Sequence, residues 1–236
     1  ADNITKVNLE LGGKAPVIVL DDADIDLAVQ KVVESRVINS GQVCNCAERV
    51  YVQEGVQNEF LDKLSTAMGK VRYGNSIAAH DAGEELDMGP QINTKAVNDI
   101  SAMVQSALAG GAELLTGGHA PDQEGSFYLP TVLANCTDNM SVMRHEIFGP
   151  VLPVRAISDL EEGIALANDS EMGLTSSIFT SNLNSAMKAS RELEFGETYV
   201  NREHMEAFQG YHAGIKQSGI GGADGKHGLY EFMETH

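Results

Sequence analysis

The chain has 236 residues, 42% hydrophobic and 21% charged, with 16 Lys and Arg against 34 Asp and Glu and a formal charge of −18. That length and apolar content suffice for a buried core and exclude a disordered or fibrous chain. The acidic balance argues against a nucleic-acid partner, which would need a dense basic face, and runs such as Met172 to Met187 are too short and too polar to span a bilayer.

Taken in order, Ile4 to Leu11 reads as a strand that ends at the Gly12-Gly13 turn. Ala15 to Leu20 is a short apolar run of the buried-strand type. Asp22 to Asp26 offers N-cap carboxylates to a helix whose apolar face is Ile25, Ala28, Val29, Val32, Val33 and Val37. Arg49 to Val52 alternates like a strand, and Val56, Phe60, Leu61, Leu64, Met68 and Val71 mark a second amphipathic helix. A third helix runs from about Thr94 and stops at Gly110-Gly111, a good C-cap. Strands are expected near 128–134, 151–156, 176–180 and 198–200, with helices near 160–168 and 183–193 between them. Strands alternating with helices read as βαβ crossovers, hence an α/β fold with a largely parallel sheet. From Asn201 onward the pattern fails, and Gly210, Gly214, Gly219, Gly221, Gly222, Gly225 and Gly228 mark a glycine-rich tail.

Three cysteines, Cys44, Cys46 and Cys136, are too few and odd in number for a disulfide framework. Cys-x-Cys without a second pair or a nearby His is a poor zinc site, so no metal is expected. No charged segment followed by an apolar stretch opens the chain, and a reducing cytoplasm is the expected compartment.

Two segments carry chemistry. Leu9-Glu10-Leu11-Gly12-Gly13-Lys14 sets a carboxylate between apolar neighbours ahead of a tight turn. Gly41-Gln42-Val43-Cys44 sets a thiol in the irregular stretch between a helix and a strand. A thiol is the best protein nucleophile near neutrality, and a carboxylate in an apolar setting can act as a base there. Together they suffice for covalent acyl chemistry. A Cys-His pair would need a positioned His, and the candidates lie far off in sequence. Each segment also has a plain reading: a small buried Cys, and a Glu facing water on a strand edge.

Spaced 34 residues apart and joined by Glu146-Ile147-Phe148-Gly149-Pro150-Val151, these segments resemble the signatures of the NAD(P)-dependent aldehyde dehydrogenase superfamily. The resemblance is to its C-terminal half and runs from Asn3 to about Phe232. It implies a three-layer, doubly wound, mostly parallel α/β catalytic domain. Cys44 would be the nucleophile that forms a thiohemiacetal and then, after hydride loss to NAD or NADP, a thioester. Glu10 would be the base for hydrolysis, and the Cys44 backbone N–H an oxyanion donor. Glu146 would bind ribose hydroxyls, with Phe148 and Leu11 beside the nicotinamide. Cys46 would be a passive neighbour able to trap oxidised Cys44, and Cys136 a small buried residue. The full-length family member would be a homodimer or homotetramer.

Within the family, 37–49, 195–203 and 218–228 resemble bacterial lactaldehyde and glycolaldehyde dehydrogenases. A small 2-hydroxyaldehyde needs a polar partner for its hydroxyl, and Asn45, Glu206 and His212 are the expected substrate contacts. By the same resemblance, 1–13 would be a remnant of a cofactor-binding domain and 14–215 the catalytic domain. Residues 216–236 would be a glycine-rich segment stopping short of the oligomerisation strand, and the chain alone would bind NAD poorly. The alternatives are a cofactor-independent thiol esterase using Cys44 with Glu10, and a non-enzymatic acidic interaction domain.

Overall fold

Consecutive residues can all be buried in a strand only when helices cover both faces of its sheet. Pro16 to Val19 are all buried, and so are Arg49 to Val52, although the second run alternates in polarity. The structure, a computed structural model, describes residues 5–234. Ile4, expected in the first strand, lies outside the described residues. The elements begin with β1 (Leu9–Glu10), β2 (Pro16–Val19), α1 (Ile25–Val37), β3 (Arg49–Gln53), α2 (Gln57–Gly69) and α3 (Ser76–Ala82). Next come α4 (Thr94–Ala109), β4 (Glu113–Thr116), β5 (Thr131–Ala134), α5 (Ser141–Arg144), β6 (Val151–Ile157) and α6 (Leu160–Asn168). The last are β7 (Met172–Gly173), β8 (Thr175–Phe179), α7 (Leu183–Glu192), β9 (Glu197–Val200), β10 (Ile215–Lys216), β11 (Gly219–Ile220) and α8 (Gly225–Glu231).

The central sheet has the order β4-β5-β6-β3-β2-β8-β9, antiparallel only between β4 and β5. The strand alternation sorts side chains to two cores. Val17, Val19, Val50, Val52, Leu152 and Val154 pack with α1 and α2, through Val32, Phe60, Leu64 and Met68. Ile18, Tyr51, Leu133 and Ile178 face the other way, onto Val97, Ile100 and Val104 of α4, Ile164 of α6 and Ala189 of α7. The three-layer, doubly wound α/β fold implied by the sequence is therefore present. Its helices start where short polar side chains cap them: Asp24, Asn93, Asp159 and Asn182 each accept from a backbone N–H of the first turn.

Two differences from the sequence reading matter for function. The first strand is only two residues long, and it pairs antiparallel with β11, Leu9 opposite Ile220 and Glu10 opposite Gly219. The glycine-rich tail is not featureless: it holds β10, β11 and α8, and β10 pairs with β7. Gly219 is required there because a side chain would overlap the Leu9 carbonyl. Elements this short carry no readable periodicity. Among the described residues, no helix is long and apolar enough to cross a membrane.

Candidate active site

The signature segments meet at one edge of the sheet. Gly12-Gly13-Lys14 enters β2, Cys44 to Glu48 enters β3, Glu146 to Gly149 enters β6, and Thr175 and Glu197 open β8 and β9. Because these strands are parallel, all five segments lie at their amino ends. Open α/β sheets more commonly bind ligands at the carboxyl ends.

Local backbone geometry places the thiol. α1 ends in a tight turn, Ile38–Gly41, where Asn39, Ser40 and Gly41 all have left-handed φ, at 45°, 59° and 76°. Such a run is costly for residues with a Cβ and persists only where neighbours over-determine it. Ser40 Oγ donates to Gly89 O at 2.8 Å, and Gln91 Nε2 donates to Ser40 O at 3.0 Å. Gly41 packs so closely on the backbone of Gly149 that a Cβ would overlap it, and one on Gly13 would overlap the Cys44 carbonyl. The glycines in the three signatures are thus points where their backbones touch. Cys44 emerges half-buried, whereas Cys46 and Cys136 are buried and free. Burial pushes both latter thiols up to about 11, so they are poor nucleophiles.

Beneath the site lies a buried charge cluster absent from the sequence reading. Glu48 accepts from Lys14 Nζ and Arg36 Nη1, both at 2.7 Å, and from the backbone N–H groups of Ile147 at 2.9 Å and Phe148 at 3.3 Å. Arg36 also donates to Gly41 O at 2.5 Å and Ala47 O at 2.6 Å, clasping both ends of the cysteine loop. Burial would raise the Glu48 pKa, but the Lys14 and Arg36 charges hold it below the usual carboxylate range. Burial also lowers Lys14, against the pull of Glu48, to about 8. One signal was readable: Arg36 falls on the apolar stripe of α1, where a charge needs a buried partner.

Glu146, the expected ribose ligand, rests on the glycine turn. Gly13 N donates to its Oε1 at 3.0 Å, and a Cβ on Gly12 would sit 2.7 Å from Oε2. Burial raises its pKa. Phe148 has a left-handed φ of 53°, held by its N–H bond to Glu48, and its ring is 42% exposed; Leu11 is 49% exposed. A carboxylate with spare acceptor capacity flanked by two exposed apolar side chains fits a flat ring carrying a vicinal diol, as at the nicotinamide end of NAD(P).

Glu10 is exposed, and its neighbours Leu9 and Leu11 are also partly open, so the apolar setting expected around this carboxylate is corrected. The paired ribbon lifts it from the sheet. Asn45 is buried, its carbonyl accepting from Thr175 Oγ1 at 2.7 Å and its amide donating to Glu206. His212 is buried, not a surface-loop residue. Its Nδ1 lies 2.9 Å from Glu197 Oε1. The fold therefore brings Glu206 to Asn45, the residue after Cys44, and pairs His212 with Glu197, which sequence reasoning missed and which opens β9 beside Thr175. A groove of about 540 Å³ lies between α1 and α2, a cleft of about 570 Å³ between 143–146 and 168–172 is lined in part by Glu146, and a small cavity of about 50 Å³ is lined by Asn45, Cys46 and His204; Cys44 lines none of the three.

A second histidine sets a pH dependence. His204 is buried; Nδ1 meets Ser35 Oγ at 2.9 Å, and Nε2 has no hydrogen-bond partner among the described residues. Desolvation pushes its pKa down to about 4. The unfolded chain then binds more protons between about pH 6.5 and 4, so this contribution to stability is present above that window and lost as pH falls through it. Acidifying from about pH 7 to 5 should shrink the unfolding free-energy gap between wild type and His204→Asn by about 2 kcal/mol, read from denaturant melts.

Comparison with known proteins agrees with this geometry. The profile of the Aldehyde dehydrogenase family matches residues 1–236. Lactaldehyde dehydrogenase of Escherichia coli (strain K12) is 57% identical over 235 residues, covering 100% of this chain and 48% of that protein. A crystal structure of the lactaldehyde dehydrogenase from Escherichia coli superposes with a TM-score of 0.95 at 56% identity, again over 100% of this chain and 48% of that one. Betaine aldehyde dehydrogenase from Staphylococcus aureus, in complex with NAD+, gives a TM-score of 0.90 at 37% identity over 98% of this chain and 46% of that one. The chain spans about half the length of the relatives it matches. Signatures, fold and whole-chain similarity together place it in the aldehyde dehydrogenase family.

Proposed function

We propose that this chain is the catalytic part of a nicotinamide-dependent dehydrogenase that oxidises a small 2-hydroxyaldehyde, lactaldehyde or glycolaldehyde, to the acid. The observation that carries the reading is the polar surround of the thiol, in which Asn45 is bonded to Glu206 and His212 to Glu197. Long or aromatic aldehydes would call for an apolar funnel there. The similarity to a protein named lactaldehyde dehydrogenase supports the same substrate class.

In this reading Cys44 Sγ adds to the aldehyde carbonyl, and its own backbone N–H donates to the developing oxyanion, a contact worth about 3–4 kcal/mol where such donors have been removed. Glu206 and His212 hold the 2-hydroxyl and so fix which face the thiol attacks. Glu146, with Phe148 and Leu11, would hold NAD(P), which would supply the hydride acceptor. The acyl group is then a thioester on Cys44. Glu10, exposed on its ribbon, has access to the water that cleaves it. Residues 14–215 form the catalytic domain, and 1–13 belong to a cofactor-binding domain.

NADH formation by the full-length protein carrying this chain tests the reading. Cys44→Ser should lower kcat at least about a thousandfold. Glu206→Gln should raise KM for L-lactaldehyde about tenfold or more and leave propionaldehyde nearly unchanged, because only the former offers a hydroxyl. Equal KM changes for both aldehydes would sink the substrate assignment, and full turnover by Cys44→Ser would sink the mechanism.

A further inference from the structure

Residues 89–92 run as a strap across the tight turn that precedes Cys44, and each of them makes a hydrogen bond to it. Gly89 O accepts from Ser40 Oγ at 2.8 Å, and Pro90 O accepts from Gln42 Nε2 at 3.3 Å. Gln91 Nε2 donates to Ser40 O at 3.0 Å, and Ile92 N donates to Gln42 Oε1 at 2.8 Å. Pro90 and Ile92 are exposed, whereas Gln91 between them is only 3% exposed. The strap is itself tied down. Gln91 N donates to Ser126 O at 2.7 Å, and Met88, buried just before the strap, bonds the backbones of Arg72 and Gly74.

A glutamine is a costly side chain for that position. Because Ser40 O can only accept, the bond to it fixes which way the amide points. Oε1 is then buried and has no hydrogen-bond partner among the described residues. An apolar side chain of the same length would avoid that cost. What the amide achieves is local: it holds the carbonyl of Ser40, a residue with a Cβ at a left-handed φ of 59°. A change at Ser40 has little room to be absorbed further along. Beyond Cys44 the chain is pinned, since Thr175 Oγ1 donates to Asn45 O, Ala47 N to Ser35 Oγ, and Arg36 Nη1 to Ala47 O. Relaxation of the turn therefore falls between Ser40 and Cys44, and it moves the thiol.

We propose that the 89–92 strap positions the nucleophile, with Gln91 as the positioning residue that keeps Ser40 left-handed and so fixes where Cys44 emerges. The proposal rests on the reading of Cys44 as the nucleophile. Gln91 makes and breaks no covalent bond. It acts through Ser40, by narrowing the range of places the thiol can occupy when a carbonyl arrives.

The test compares two variants of the full-length protein carrying this chain. Gln91→Met keeps the length and bulk of the side chain but has no donor. Hydrogen exchange in a peptide covering 38–46 should be at least about tenfold faster in it than in wild type, with the peptides of α2 and α4 unchanged. Its rate of Cys44 alkylation by iodoacetamide, read by peptide mass spectrometry, should fall at least about fivefold. Gln91→Glu supplies a readout that lost packing cannot imitate. Burial raises its carboxyl pKa; protonated, it donates to Ser40 O as the amide does, and ionised it has no donor to give. Its alkylation rate relative to wild type should therefore be higher at about pH 6 than at about pH 8.5, and the ratio for Gln91→Met should stay flat. Unchanged exchange in 38–46, or flat ratios for both variants, would overturn the proposal. If Gln91→Glu fails to fold, Gln91→Met decides, and a wild-type alkylation rate in it would overturn the proposal equally. In turnover, Gln91→Met should lower kcat at least about tenfold with KM for the aldehyde within about twofold of wild type. Exchange and alkylation use neither aldehyde nor cofactor. A strap that holds the thiol without aldehyde oxidation would therefore count against the dehydrogenase reading alone, and wild-type exchange in an active dehydrogenase against the strap alone.

Discussion

Glu48→Ala is expected to lower the unfolding free energy by about 3–5 kcal/mol, the range seen when one partner of a buried ion pair is removed. The reason is what stays behind. Lys14 and Arg36 are both fully buried, and their ammonium and guanidinium groups would face each other across an emptied space. The N–H groups of Ile147 and Phe148 would lose their acceptor as well. Phe148 holds a left-handed backbone partly through that bond, so its turn should relax and take Gly149 away from Gly41. Guanidinium melts of the variant should show a lower midpoint with an unchanged slope, because no more surface is exposed on unfolding. Glu48→Gln keeps both acceptor geometry and volume and should cost less. A Glu48→Ala midpoint equal to wild type would mean that the cluster is solvated and has no part in holding the three segments together.

Gly41→Ala should cost about 3 kcal/mol or more, and a matched control separates its two causes. Gly83, at the end of α3, has nearly the same φ, 72° against 76°, but nothing lies within 4 Å of the Cβ it would gain. Gly83→Ala pays only for the left-handed conformation, about 1–2 kcal/mol. Gly41→Ala adds overlap with the Gly149 backbone and with Arg36 Nη2, 2.7 Å from the new Cβ. Backbone cannot move aside as the end of a side chain can, so the cysteine loop or the Phe148 turn must shift. Misplacement of a nucleophile by about 1 Å can cost a hundredfold in rate. The Gly41 variant should therefore lose Cys44 alkylation rate and stability together, and the Gly83 variant should lose only a little stability. Equal losses in the two would show that the close approach contributes nothing.

The Asn45–Glu206 contact and the charge cluster share a feature that explains why neither was legible. Each is built from residues far apart in the chain: Asn45 with Glu206, and Lys14 with Arg36, Glu48 and the 146–149 turn. From the sequence, the histidines that could sit near Cys44 lie far off in the chain, and Asn45, Glu206 and His212 were expected together only as substrate contacts. The tail reaches the cysteine loop through Glu206 on Asn45, and Glu197, which faces His212, opens β9 beside Thr175, whose hydroxyl bonds the Asn45 carbonyl. The apolar setting assigned to Glu10 failed for the same reason. Leu9 and Leu11 flank it in sequence, but a two-residue ribbon leaves all three open.

What the sequence determined by itself is what local periodicity and short-range signals encode. The strand and helix alternation, the capped start of α1, the start of α4 near Thr94, its stop at Gly110 and the three glycine-bearing signatures were all readable, and with them the α/β fold and the family. These depend on neighbours within a turn or two of chain, so propensity, capping and pattern suffice. Only the tertiary structure decided that the site lies at the amino ends of the strands, that Glu48 holds three signatures at once, and that His212 is buried against Glu197. Those depend on which segments the sheet order brings side by side. A parallel sheet joins strands through crossovers of a dozen or more residues, so its neighbours leave no local trace in the sequence.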